Sequence, residues 1–182
     1  MAEHKQAVVV GALGVIGRYI VAQLLAQGDW SVVGLSRRTA DAAPRYRHIA
    51  VDLLDGQCVA EKLAGLKDVT HVFYAAFQPA AGAAADYASN IAPNRDMLVN
   101  AVTAIDEASR ALHRVVLVTG TKYYGSHLGP FRTPARESDP RHRVPTTIST
   151  RSTGSPPSSA AKAGTGWSCG RRPCAASRRA PR

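Results

Sequence analysis

The chain has 182 residues, long enough for one domain with a buried core. Its net charge of +10 is unevenly spread: up to Pro140, 14 Lys/Arg stand against 13 Asp/Glu, whereas from Arg141 onward there are 9 Lys/Arg and no acid. Three cysteines are too few for a disulfide framework, and Cys169 and Cys174 lack a second ligand pair for zinc. The N-terminal apolar stretch is interrupted by Arg18 and Gln23 and no small-residue cleavage site follows, which argues against a leader or a membrane span and for a cytoplasmic protein.

Residues 7–11, AVVVG, form a wholly apolar run ending in glycine, as a parallel strand buried on both faces would. Ile16, Ile20, Leu24 and Leu25 then recur at helical spacing, and Gly28 supplies a stop. Residues 31–35, 46–52 and 71–77 read as strands. Between the last two, Val59, Leu63 and Leu66 mark a short helix carrying a solitary cysteine, Cys58. Met97, Leu98, Ala101, Val102, Ile105 and Ala108 line one face of a longer helix, and residues 114–120 give a fifth strand. Strands alternating with helices predict right-handed crossovers and an α/β fold with a partial doubly wound parallel sheet of the Rossmann type. The pattern stops near Pro140, where such a sheet would normally continue. Residues 1–140 therefore read as an incomplete nucleotide-binding domain. Residues 141–182 read as a basic, low-complexity, disordered tail, because Arg, Ser, Ala, Pro and Gly cannot bury enough surface to offset chain entropy.

The first turn reads GALGVIG, residues 11–17. Gly11 permits a tight strand-to-helix turn, Gly14 a close backbone approach to a pyrophosphate, and Gly17 close helix–strand packing. Ala12, Leu13, Val15 and Ile16 fill the loop between them, and the helix N-terminus turns its free N–H groups toward the phosphates. Glycine spacing alone is weak, and the same glycines would serve a bare turn. The strand before and the helix after them are the context that favours a dinucleotide. The second strand ends in Ser36, Arg37 and Arg38, with no acid until Asp41. An acid there would suit the ribose 2′-OH of NAD. Arginines suit the 2′-phosphate of NADP(H), although two such residues can also be ordinary solvated loop residues. Asp52, beside Leu53, stands where a carboxylate could accept a hydrogen bond from the adenine amine. Ala75 and Ala76 are small where the fourth strand passes the cofactor, though simple packing would also use them.

TGTKYYG, residues 119–125, sets Lys122 beside Tyr123 and Tyr124 at the mouth of the fifth strand. Thr119 and Gly120 complete the expected cofactor set. Nicotinamide enzymes of this size often pair a tyrosine with a lysine four residues later; here the order is reversed. GALGVIG, VDLLD, YAAF and above all TGTKYYGSHLGPFRTPARESDPRH resemble the extended short-chain dehydrogenase/reductases, and within them the progesterone 5β-reductase/iridoid synthase-like group, often labelled NAD-dependent epimerase/dehydratase. The resemblance covers about residues 6–142. It implies an NADPH-dependent oxidoreductase acting on a small enone or carbonyl compound, with Lys122 assisting catalysis. It also implies a tyrosine shortly downstream, in an Asn-Phe-Tyr-Tyr-like segment, whose hydroxyl stabilises the developing enolate oxygen.

No tyrosine follows Tyr124. The tail, however, has the composition of GC-rich coding sequence read out of frame. If each new codon takes the last base of one codon and the first two of the next, PTTISTRSTGSPPSSAAKAGTGW from Pro145 is compatible with PNYYLDQVDWLAAIQRGKGWDW. SCGRRPCAASRRAP is likewise compatible with VLRPPPVCGFAPG. Thr146 and Thr147 force codons ending in AC, so each yields Asn, Tyr, Asp or His. The former peptide carries the missing Asn…Tyr-Tyr segment, and the latter has the pattern of the next buried strand. The expectation is an enzyme-derived chain, weak or inactive as translated because Lys122 has lost its tyrosine. The rivals are a non-catalytic NADP(H)-binding sensor, an epimerase/dehydratase-like enzyme acting on nucleotide sugars, and a nucleic-acid binder using the tail. Trp167 stands alone there without the aromatic interleaving that grips bases.

Overall fold

The structure, a computed structural model, describes residues 5–79, 88–126 and 128–141. Apolar residues on both faces of one segment demand two layers to cover it, and strand β1 (Lys5–Val10) meets that demand with Ala7 to Val10 all fully buried. It lies in the middle of a five-stranded sheet of order β3-β2-β1-β4-β5, every adjacent pair parallel. The other strands are β2 (Trp30–Ser36), β3 (Tyr46–Ala50), β4 (His71–Tyr74) and β5 (Arg114–Leu117). Three helices connect them: α1 (Val15–Gln27), α2 (Gly56–Leu63) and α3 (Ile91–Ala108).

Side-chain alternation splits the core in two. Val8, Val10, Val33, Leu35 and Val72 face α2 and α3, meeting Val59, Leu63, Ala101 and Ile105. Ala7, Val9 and Val32 face the opposite way, meeting Leu24 of α1 and the Trp30 ring. Helix α1 ends where expected: Gly28 takes a left-handed conformation (φ 88°) and its N–H bonds the Leu25 carbonyl. Helix α2 begins at Asp55, whose carboxylate accepts the Cys58 N–H at 3.0 Å. Cys58, expected to stand alone, is instead disulfide-bonded. The other two cysteines, and the whole basic tail from residue 142, lie outside the described residues.

Three strands end earlier than their apolar runs. β3 stops at Ala50, β4 at Tyr74 and β5 at Leu117, because the ladder pairing ends there and the chain turns out at the carboxyl edge. Helix α3 starts six residues before Met97. Pro93 sits in its first turn, where a missing N–H costs nothing.

β5 pairs with β4 on one side, and no strand among the described residues pairs with its other side. Val115, on this strand, is 41% exposed. An exposed apolar edge templates association with other chains. Val115→Lys is expected to raise the monomer fraction at high concentration in sedimentation velocity while changing stability by no more than about 0.5 kcal/mol.

Candidate functional site

The site lies at the carboxyl edge of the sheet, where β1 hands the chain to α1. The strand order places β2 and β4 on opposite sides of β1, so the connections after β1 and β4 diverge and leave a crevice between them. Gly11 (φ 84°) turns the chain at its floor, a conformation that favours glycine. Its N–H and that of Ala12 both donate to the Leu35 carbonyl, at 2.9 and 3.1 Å, pinning the loop to β2. On the other side Gly11 presses on β4's exit: a Cβ there would sit 2.8 Å from the Ala76 nitrogen. Gly17 is packed against Gly11 itself, and a Cβ would overlap the Gly11 carbonyl. The glycine loop thus rests on the backbone of Ala75 and Ala76.

Helix α1 opens at Gly14 with no side-chain cap and no acid in its first turn. Its first N–H groups have no intrahelical acceptor, and the helix dipole adds positive potential. Both features suit an anion. A cleft of about 400 Å³ opens beside this end, lined by Gly11, Leu13 and Gly14 from the loop, by Ser36, Arg37 and Arg38 from the end of β2, by Asp52 and Leu53 after β3, and by Ala75 and Ala76 after β4. A second cavity of about 420 Å³ shares Ala75, Ala76 and Phe77 with the first and continues to Ile16, Thr119, Gly120, Lys122 and Tyr123. The sequence-derived residues therefore converge on two adjoining spaces. Ala12, Val15 and Gly17 line neither. Ala12 and Gly17 are buried supports, and Val15 is 69% exposed.

The polar details differ from the sequence reading. Ser36 donates its hydroxyl to the Arg38 carbonyl at 2.8 Å, so it organises the arginine loop. Arg37 reaches across the cleft to the Gln78 side-chain oxygen at 3.3 Å. Asp52 accepts the Leu54 N–H at 3.1 Å, closing its own turn, while still lining the cleft. His48 contacts the Ser36 hydroxyl and the Arg38 carbonyl, both at 3.0 Å, and the Tyr46 hydroxyl at 2.8 Å. Burial pushes its imidazole below the usual range, opposed in part by the hydrogen bond to Arg38, so the neutral ring is favoured.

Two further residues shape the site. Asn94 on α3 is 2% exposed. Its side-chain oxygen accepts the Gln78 N–H at 2.8 Å, and its amide donates to the Gln78 and Asn90 carbonyls at 2.7 and 2.8 Å. It clamps the loop that leaves β4. Tyr74, at the end of β4, lines the second cavity with a buried hydroxyl that has no hydrogen-bond partner among the described residues, and burial pushes its pKa up. Lys122 lies on the short 3₁₀ turn Thr121–Tyr124, closed by Gly125 in the left-handed region (φ 83°). Tyr123 and Tyr124 pack edge to face, centroids 5.0 Å apart.

Two variants probe this geometry. Gly17→Ala forces the loop off Gly11, so stability should fall by about 1–3 kcal/mol in a urea titration and dinucleotide binding should be lost. Tyr74→Phe removes an unpaired buried hydroxyl, so thermal unfolding should show stability unchanged or raised by about 1 kcal/mol.

Among curated proteins, the chain is 33% identical over 152 residues to the short chain dehydrogenase gsfE of Penicillium aethiopicum, covering 78% of this chain and 39% of that one. It is 34% identical over 149 residues to the 3-oxo-Δ(4,5)-steroid 5-β-reductase of Arabidopsis thaliana, covering 78% and 36%. The chain thus spans under two-fifths of the length of these relatives. Among solved structures, the Bordetella bronchiseptica enzyme WbmG in complex with NAD superposes with a TM-score of 0.61 at 19% identity, over 82% of this chain and 47% of that one, a likeness of fold. The NAD-dependent epimerase/dehydratase family model matches residues 7–149, and with parallel strands, glycine loop and crevice in agreement, the chain belongs to that family.

Proposed function

We propose that the described residues form the cofactor half of an NADP(H)-dependent reductase for a small enone or carbonyl substrate. The observation that carries this reading is the cleft at the carboxyl edge, where two arginines and no acid end β2, joined through Ala75 and Ala76 to a second cavity holding Lys122. The residues fit the cofactor. The uncapped first turn of α1 suits the pyrophosphate, Arg37 and Arg38 the 2′-phosphate, and the turn at Asp52 and Leu53 the adenine end. A bound nicotinamide supplies the hydride. The chain's own contribution in the second cavity is the Lys122 charge, which would stabilise negative charge growing on a substrate oxygen in a space walled by Leu117, Val118 and Ile91. The relative named as a steroid 5-β-reductase supports a reductase over a sugar epimerase.

The sequence after Pro145 supports a further element of the reading: a change of coding frame there has replaced the Asn…Tyr-Tyr segment that would face Lys122. On that basis the chain as translated binds NADPH with little turnover. Fluorescence titration with NADPH and an enone-reduction assay should show binding with weak or no reduction. Restoring the alternative frame should bring activity, and Lys122→Ala in the restored protein should lower kcat about a hundredfold. If the restored protein gains no activity, a non-catalytic nucleotide sensor is the better reading. If NADPH does not bind, both fail.

A further inference from the structure

Two β3 side chains, Tyr46 and His48, stand two residues apart on one face of the sheet and reach across β2 to the loop that carries the arginines. The tautomer with its proton on Nε2 satisfies all the contacts together. Nδ1 then accepts from the Tyr46 hydroxyl at 2.8 Å, and Nε2–H lies between the Arg38 carbonyl and the Ser36 hydroxyl oxygen, each 3.0 Å away. Ser36 adds its own donation to the same carbonyl at 2.8 Å. The Arg38 main chain is therefore fixed by two side chains from two strands.

The strand beneath makes room for this. A Cβ on Gly34 would overlap the Tyr46 hydroxyl and sit 2.9 Å from His48 Nδ1. A glycine inside a central strand costs stability, and here it leaves the space that the Tyr46–His48 pair occupies. The two arginines also differ in their commitments. Arg37 is engaged with Gln78, whose backbone is held by the buried Asn94. The Arg38 guanidinium makes no hydrogen bond or ion pair among the described residues, is exposed, and lines the cleft.

We propose that His48, aligned by Tyr46, is a positioning residue that fixes the loop at Arg38 and so makes Arg38, rather than Arg37, the residue that distinguishes a 2′-phosphorylated dinucleotide from a plain one. This rests on the NADP(H) reading above. His48 acts through the Arg38 backbone, so its loss should weaken recognition of the 2′-phosphate and leave the rest of the nucleotide contacts in place.

The test is fluorescence titration of the full chain with NADPH and with NADH, with thermal melts alongside. The unsubstituted protein should prefer NADPH. His48→Ala should lower the NADPH-over-NADH preference about tenfold with NADH affinity unchanged. His48→Gln can still donate an amide N–H to the Arg38 carbonyl and should keep most of the preference. Arg38→Ala should cost more of it than Arg37→Ala. If His48→Ala melts too low to assay, Tyr46→Phe, which keeps the ring, should still lower the preference about threefold. The proposal is overturned if the His48 and Tyr46 variants weaken both dinucleotides equally, if they leave the preference intact, or if Arg37→Ala is the costlier change. A protein with no preference for NADPH before any substitution would instead remove the NADP(H) reading on which the proposal stands.

Discussion

Three stretches of backbone meet at Gly11, and the rest of the carboxyl edge is arranged around that contact. The end of β2 accepts its N–H, the first turn of α1 lies against its carbonyl, and the exit of β4 lies against its Cα. None of these approaches leaves space for a side chain at position 11 or 17. Protein interiors do not compress to accommodate even one extra carbon cheaply. The contact therefore sets the distance between the arginine loop and the Ala75–Ala76 loop, and with it the width of the cleft. β4 ends at Tyr74, and the Ala75–Ala76 backbone that follows lies against Gly11 at the margin of the crevice.

The cleft's walls are then held by polar side chains acting on main chain. On one side, Ser36 and His48 hold the Arg38 carbonyl. On the other, Asn94 holds both polar backbone groups of Gln78. Each is a side chain from a regular element fixing a loop that has no ladder of its own. A buried amide with three satisfied bonds contributes more to order than to net stability, because its desolvation offsets much of the gain. Its effect is to give the loop one conformation. Arg37 joins the two walls through Gln78, so a ligand entering the first cleft passes beside a bridge between them.

The sequence made the backbone plan readable where a local rule governs it. Wholly apolar β1, the glycine loop and the Gly28 stop follow from burial on two faces and from left-handed backbone, and each stands where the pattern predicts. Asn94, Tyr46 and His48 were not readable, because their roles depend on partners across the fold. An asparagine on a helix and a histidine on a strand resemble surface residues until Gln78 and Arg38 are brought to them. Gly34 carried a hint, since a glycine inside an apolar strand marks a close approach. Only the fold reveals that the approach is made by side chains from β3. Ser36 and Asp52 line the cleft, and both spend hydrogen bonds on their own loops. Position follows from the pattern of elements, whereas the direction of a hydrogen bond follows from neighbours the pattern does not specify.

The two cavities also differ in how much of their chemistry the described residues supply. The first is walled by loops from four strands and has its charge in place, two arginines and an open helix end. The second is walled on one side by β4 and β5 and their following turns, and by the start of α3. Its polar lining comprises Asn90, Asn94, Lys122, Tyr123 and the Thr119–Thr121 turn, together with Tyr74, whose hydroxyl has no hydrogen-bond partner among the described residues. Arg37, Arg38 and the uncapped start of α1 give the first cavity positive potential, the feature on which the NADP(H) proposal rests. Carbonyl reduction needs, besides a cation, a proton donor facing the substrate oxygen, and among the described residues Tyr123 and Tyr124 are packed on one another beside Lys122. Among the described residues β5 both lines the second cavity through Leu117 and carries no strand on its outer side, so the open edge and the space around Lys122 adjoin.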